Sequence, residues 1–296
     1  MKKLKYALLI CTLLFLLAAG FLLHFVAPYA IIKPYKAHIA LTPEDLSLRS
    51  EALTIVVEDS IALKGYHIQA NTDTTKAVIL FVHGIGGCKE HFLEFAAALA
   101  NLGYASVLFD GRAQGQSGGQ YCTFGFYEKQ DIAAIVDTIR QRAPNLKIGI
   151  WGNSLGGAIA LQALEADERI SFGVVESTFA DLGQIVFDYK KRYLKGLGIR
   201  FLSDYALSRA AAIARFDPGD VRPFKSAENI EQPVLIAHGD ADQAISVAYG
   251  KLLYQQLKSP EKEIVIVPGG GHYDLGRKGG KNYQTKLLGF LEKCSQ

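Results

Sequence analysis

"IGIWGNSLGGAIALQAL" (Ile148–Leu164) joins a short apolar run to a stretch of small residues at helical spacing, with one hydroxyl, Ser154, at the junction. The apolar run reads as a buried strand and its Ala- and Leu-rich continuation as a helix. Gly152 and Gly156 stand two residues to either side of the serine. Without side chains at those points the backbone turns sharply and the helix packs close to the strand, which leaves the hydroxyl raised above the end of the sheet. A serine that merely capped a helix would sit at a similar junction. Its partners elsewhere in the chain decide between the two.

The same strand-to-helix rhythm runs outward from this stretch. "AVILFVHG" (77–84), "YASVLFD" (104–110), "SFGVVES" (171–177), "PVLIAHG" (233–239) and "KEIVIVPG" (262–269) are short and continuously apolar. Helical patterns lie between or after them at Lys89–Leu102, Tyr127–Arg142, Val247–Leu257 and Tyr283–Lys293. Apolar strands alternating with helices predict a mainly parallel sheet covered on both faces. Ahead of them, "LTIVVEDSIALKGYHIQ" (53–69) predicts two strands joined by a tight turn at Asp59-Ser60. The 177–231 connection is too long for a simple crossover, and residues 179–225 read as a helical insertion, either a lid or extra packing helices.

With 296 residues, 49% hydrophobic and 21% charged, the chain suits one large α/β domain and excludes a disordered one. A net charge of +3, no basic run with interleaved aromatics and no zinc-type cysteine spacing give no support to nucleic-acid binding or a structural metal. The N-terminus differs from the rest. Tyr6–Ala27 is almost wholly apolar, and its roughly 33 Å of helix would cross a bilayer core of about 30 Å. Signal-peptide cores are shorter, so residues 1–32 are expected to form an uncleaved signal anchor, 33–52 a linker and 53–296 the main domain. Lys2, Lys3 and Lys5 before the span against Lys33 and Lys36 after it put the N-terminus inside by a small margin, with the main domain extracytoplasmic.

A serine hydroxyl needs a base to take its proton and an acid to orient that base. His272, on the Gly-rich loop "VPGGGHYDL" after a strand, is the best placed base of the seven histidines. "LIAHGDADQAIS" offers Asp240 and Asp242 as the acid, and position alone does not choose between them. Glu176 is read as structural or pocket-lining. The backbone amides of Leu155, at the helix start, and Ile85, in "HGIGG", are the candidate oxyanion donors, with His83 bracing the latter loop. No metal or organic cofactor is required by this chemistry.

Taken together, "FVHGIGG", "VLFDGRAQGQSGG", "TFGFYEKQDIAAIVDTI", "GNSLGG", "PVLIAHGDAD" and "GGGHYDL" resemble the α/β-hydrolase superfamily in content and order, from about Leu53 to Leu291. The nearest resemblance is to membrane-anchored or secreted bacterial hydrolases of the serine aminopeptidase-like and dipeptidyl-peptidase-like group. Their HG-x-x-D pattern implies Asp242 as the acid, and Asp110 and Arg112 as parts of a structural loop. One departure is Ala113 where such sequences often carry glycine, and another is the lack of a preceding propeller, which argues against peptidase-type gating. The resemblance implies a serine hydrolase acting on carboxylic esters or lipid-like acyl substrates, with peptides or amides second, and an inactive membrane-tethered binding protein as the reading from another class. Cys88 and Cys122 follow neighbouring strands, and an extracytoplasmic domain leaves both a Cys88–Cys122 bridge and two free thiols open.

Overall fold

A computed structural model describes residues 2–193, 196 and 198–296; the rest of the insertion, residues 194, 195 and 197, and Met1 of the anchor lie outside the described residues. The strands are β1 (Ser50–Val57), β2 (Ile61–Ile68), β3 (Ala77–Val82), β4 (Tyr104–Phe109), β5 (Lys147–Asn153), β6 (Ile170–Glu176), β7 (Val234–Gly239) and β8 (Lys262–Val267). They form one sheet in the order β1-β2-β4-β3-β5-β6-β7-β8, with β1 and β2 antiparallel and the others parallel. β3, β4 and β7 are buried along their whole length, as strands covered on both faces must be. The first strand begins at Ser50, inside the segment expected to be linker, because Ser50–Val57 pairs residue for residue with Ile61–Ile68.

The helices are α1 (Lys2–Phe21), α2 (Ala27–Ile32), α3 (Leu93–Asn101), α4 (Glu128–Arg142), α5 (Leu155–Ala166), α6 (Leu182–Tyr193), α7 (Arg200–Ala214), α8 (Pro223–Ala227), α9 (Val247–Gln256) and α10 (Leu275–Ser295). α3 and α10 cover one face of the sheet, where Leu93, Ala96, Tyr283, Leu287 and Leu291 pack on Ile79, Phe81 and Trp151. On the other face α4 presents Ile132, Ile135, Val136 and Ile139, an i, i+3, i+4, i+7 stripe, and α5 sits at the centre with almost every residue buried. Residues 179–225 hold α6, α7 and α8, and α6 packs on α7.

The structure decides the open cysteine question and extends one helix. Cys88 and Cys122 are free thiols: the Cys88 sulfur faces the His91 ring at 3.6 Å, whereas Cys122 is buried where its N–H donates to the carbonyl of Ile32. Burial pushes the Cys88 thiol up to about 12, so the thiolate that disulfide chemistry needs is scarce. The closing helix is also longer than its pattern, running from Leu275 with a kink at Gly280.

α1 and α2 form one apolar helical rod, Lys2–Ile32, long and apolar enough to cross a membrane. A π-helical turn, Leu22–Val26, joins them ahead of Pro28, whose missing N–H removes one rung of the hydrogen-bond ladder. The rod is exposed along α1, but its last turn enters the domain: Pro28 and Ile32 are buried, and Ile32 belongs to the same apolar cluster as β3 and α5. A boundary drawn at Ile32 therefore cuts through the core.

Beside the sheet edge, Arg112 donates from Nε and one terminal nitrogen to Asp131, both at 2.6 Å, in a pair sealed from solvent. Breaking a buried pair leaves an uncompensated charge and costs about 3–5 kcal/mol. Arg112→Ala is expected to lower the urea-unfolding free energy by about 3 kcal/mol or more. A loss below about 1 kcal/mol would show that the pair does not brace this loop.

Candidate active site

The loops at the carboxyl ends of β3, β5, β6, β7 and β8 meet above the sheet, the edge where open α/β sheets bind ligands. Ser154 holds φ 53° and ψ −120°, outside the regions that residues with side chains prefer. Its N–H donates to the carbonyl of Glu176 at 2.8 Å, and its carbonyl accepts from the Thr178 hydroxyl at 2.6 Å, which pins the turn from both sides. The two glycines are sterically obligatory: a Cβ on Gly152 would lie 2.1 Å from the carbonyl oxygen of Gly156, and one on Gly156 would lie 1.9 Å from that of Val82.

His272 comes from the loop between β8 and α10, and its Nε2 lies 3.0 Å from Ser154 Oγ. Its Nδ1 lies 2.8 Å from Asp242 Oδ2. The consistent proton arrangement has Nδ1–H donating to the carboxylate, which leaves Nε2 to accept from the serine hydroxyl. Asp242 Oδ1 accepts the N–H groups of Ala244 and Ile245 at 2.8 and 2.9 Å. Asp240, the alternative by position, is spent on the loop itself, where its Oδ1 accepts the N–H of Gly269 at 2.6 Å. The Asp242 and His272 loops touch closely enough that a Cβ on Gly239 would lie 2.1 Å from the carbonyl oxygen of Gly270.

Burial alone would raise the Asp242 carboxyl, but hydrogen bonds from His238, His272 and Ile245 outweigh it and hold the group well below the usual carboxylate range. His238 is the residue that sequence reasoning passed over. It is fully buried, its Nε2 lies 2.9 Å from the carbonyl oxygen of Ile245, and the same nitrogen is 3.4 Å from Asp242 Oδ2. Its place four residues before Asp242 in "HGDAD" was the only available signal. Glu176 is held by Trp151 Nε1 at 3.1 Å and by the Tyr283 hydroxyl, and burial raises its carboxyl. It is at once structural and pocket-lining.

Leu155 occupies the first position of α5, where backbone N–H groups have no intrahelical acceptor. Across from it, Gly84 approaches the serine so closely that an added Cβ would lie 3.3 Å from the Ser154 Cβ. The loop carrying Ile85 is braced on both sides. His83 Nδ1 lies 2.8 Å from the carbonyl of Gly84 while Nε2 accepts the Gly111 N–H at 3.0 Å, which fixes the neutral ring, and burial lowers its pKa. The Gly86 N–H donates to Gln114 Oε1 at 2.7 Å. Asp110 stands behind this loop in a buried cluster with Lys89 and Glu90, with Nζ to carboxylate distances of 3.0 and 2.7 Å, away from the serine.

A cavity of about 490 Å³ opens on Ser154, lined by Leu155, Phe124, Phe179, Ile185 and Tyr189 among others. A second, of about 380 Å³, lies on the His272 side and is lined by His83, Asn153 and Glu176, with Ile85 and Tyr273 bordering both. No group of three or more His, Cys, Asp or Glu side chains is gathered as for a metal ion among the described residues.

The sheet order, the strained serine turn and the loop set define the α/β-hydrolase fold, and the chain is similar in sequence and structure to members of that superfamily. The profile of the family described as serine aminopeptidase, S33, matches residues 73–199. YqkD, an uncharacterized protein of Bacillus subtilis, is 29% identical over 239 residues, 79% of this chain and 76% of its own length. The lysophosphatidylserine lipase ABHD12 of Danio rerio is 30% identical over 190 residues, 60% of this chain and 46% of the relative. Among solved structures, the Pyrococcus furiosus esterase Pf2001 superposes with a TM-score of 0.74 at 24% identity, over 89% of this chain and 98% of the other, which speaks to the fold.

Gly156→Ala is expected to displace α5 from β3 and lower the unfolding free energy by about 1–3 kcal/mol, measured by urea denaturation; an unchanged value would contradict the packing described. Because folding depresses the Asp242 pKa, its stabilisation is complete above about pH 4 and is lost as pH falls through the lower folded value. Asp242→Asn should therefore flatten the stability–pH curve below pH 4. An equally steep curve in the variant would contradict the hydrogen-bonded carboxylate.

Proposed function

We propose that the protein is a serine hydrolase that cleaves carboxylic esters through an acyl-enzyme on Ser154. The observation that carries this reading is the continuous chain from Ser154 Oγ through both nitrogens of His272 to Asp242, opening on a largely apolar cavity. His272 Nε2 takes the serine proton as Oγ attacks the ester carbonyl, and Asp242 stabilises the imidazolium that forms. The Leu155 and Ile85 amides receive the developing oxyanion. His272 then passes the proton to the departing alkoxide, the alcohol leaves, and water activated by the same ring releases the acid and restores Ser154. No cofactor takes part.

Esters are favoured over peptides because the cavity facing Ser154 is walled by Phe124, Phe179 and Ile185, a surface for an apolar acyl group. The family description that matches the chain names an aminopeptidase, so amide cleavage is the second reading. Alkyl or aryl alcohol groups would lie towards the second cavity, past His272. The N-terminal rod is proposed as a single-pass signal anchor with the catalytic domain outside the cytoplasm, an orientation supported by three lysines before the span against two after it.

Hydrolysis of soluble p-nitrophenyl esters by the full chain in detergent tests the reading. Ser154→Ala, His272→Ala and Asp242→Asn are each expected to lower kcat by about 10⁴-fold or more, with Asp240→Asn retaining most of the activity. Turnover that is indifferent to Ser154 would overturn its assignment as nucleophile, and absence of turnover from well-folded protein would favour a tethered binding protein instead.

A further inference from the structure

The acyl cavity has an unexpected wall. Besides residues of the hydrolase body, it is lined by Ala27, Ala30 and Ile31, the last turn of the helical rod. α2 packs along α7, which supplies Ala206 to the same cavity, and His24 Nδ1 lies 2.6 Å from the Tyr205 hydroxyl one residue earlier in α7. The Ile32 carbonyl accepts the Cys122 N–H at 2.8 Å, and Lys36 Nζ donates to the carbonyl of Ser117 at 2.9 Å. These bonds hold the rod in a fixed place against the catalytic domain, so the rod is more than a flexible tether.

Length fixes the depth of this wall. Twenty residues of helix, from Tyr6 to Phe25, span about 30 Å and fill the hydrocarbon core. Ala27–Ile31 then lies roughly 3–9 Å beyond it, within or just outside a headgroup layer about 5–8 Å thick. At the start of α7, Ile199 and Phe201, six and four residues before Tyr205, are 63% and 73% exposed with Arg200 between them. Exposed apolar side chains flanked by a cation beside a membrane helix suit the lipid interface.

We propose that the membrane anchor is itself part of the substrate site: Ala27, Ala30 and Ile31 join α6 and α7 to enclose the acyl chain of a single-chain amphiphilic ester drawn from the leaflet in which the anchor is embedded. The proposal rests on the ester-hydrolase reading and adds a substrate class, a membrane-resident acyl amphiphile, and a set of specificity residues. The small side chains at 27 and 30 keep the cavity open, and a larger residue at either position would shorten the space available to the chain.

Two arms test it, both with the full chain in phosphatidylcholine vesicles. In the first, Ala30→Trp and Ala27→Trp are assayed against butyryl and dodecanoyl p-nitrophenyl esters. The ratio of kcat/KM for the dodecanoyl over the butyryl ester is expected to fall at least tenfold in one or both, and an unchanged ratio in both would overturn the proposal. In the second, Ser154→Ala protein is photolysed with a lysophosphatidylcholine carrying a diazirine in its acyl chain, and cross-links are mapped by mass spectrometry. Labelling at both 27–31 and 185–189, with the latter lost on adding Ala30→Trp, is the expected result. Labelling confined to residues 6–25, no labelling, or labelling that Ala30→Trp leaves unchanged would overturn it. The second arm needs no turnover, so failure of the ester-hydrolase reading, seen as inactivity towards the soluble butyryl ester, remains distinguishable.

Discussion

A single backbone turn governs the arrangement of this molecule. Ser154 is held in a left-handed conformation between a strand and a helix, and it stays there because its neighbours leave no room for anything else. The carbonyls of Val82 and Gly156 occupy the space where side chains on Gly156 and Gly152 would stand. Strain of this sort costs about 1–3 kcal/mol and persists only where the surrounding structure over-determines it. Here the Glu176 carbonyl, the Thr178 hydroxyl and the fully buried α5 do so. The return is a hydroxyl at the top of the sheet with an uncapped helix N-terminus directly behind it.

The remaining loops converge on that point with little freedom. Asp240 ties down the His272 loop, Asp242 meets the ring, and His238 lies beside Asp242 from inside the core. On the opposite side, His83 and Gln114 hold the glycine-rich loop from two directions. The chemistry proposed for Ser154 depends on this rigidity, because preorganised donors act without reorganisation when charge develops.

Much of this was legible in the sequence because it is local. The glycine-spaced serine, the apolar strands and the order of acid and base each follow from residues close together in the chain. Asp242 was separable from Asp240 only through a family resemblance; the structure separates them by showing that Asp240 serves the Gly269 N–H. Other features were faint. Only the four-residue spacing in "HGDAD" hinted that His238 neighbours the acid's carboxylate, and the glycines of "GRKGGK" concealed the start of α10. The cysteine pairing was undecidable because it depends on where two loops point. The greatest difference lies at the N-terminus, where hydropathy reveals a span and says nothing about its last turn lining the cavity above Ser154.

The most direct test of the central claim is rapid-quench mass spectrometry of the full chain mixed with a p-nitrophenyl ester under single-turnover conditions. The account predicts a burst of p-nitrophenol matched by acylation of the peptide containing Ser154, and loss of both in Ser154→Ala. Release of p-nitrophenol without an acylated Ser154 peptide, or acylation at another residue, would contradict it.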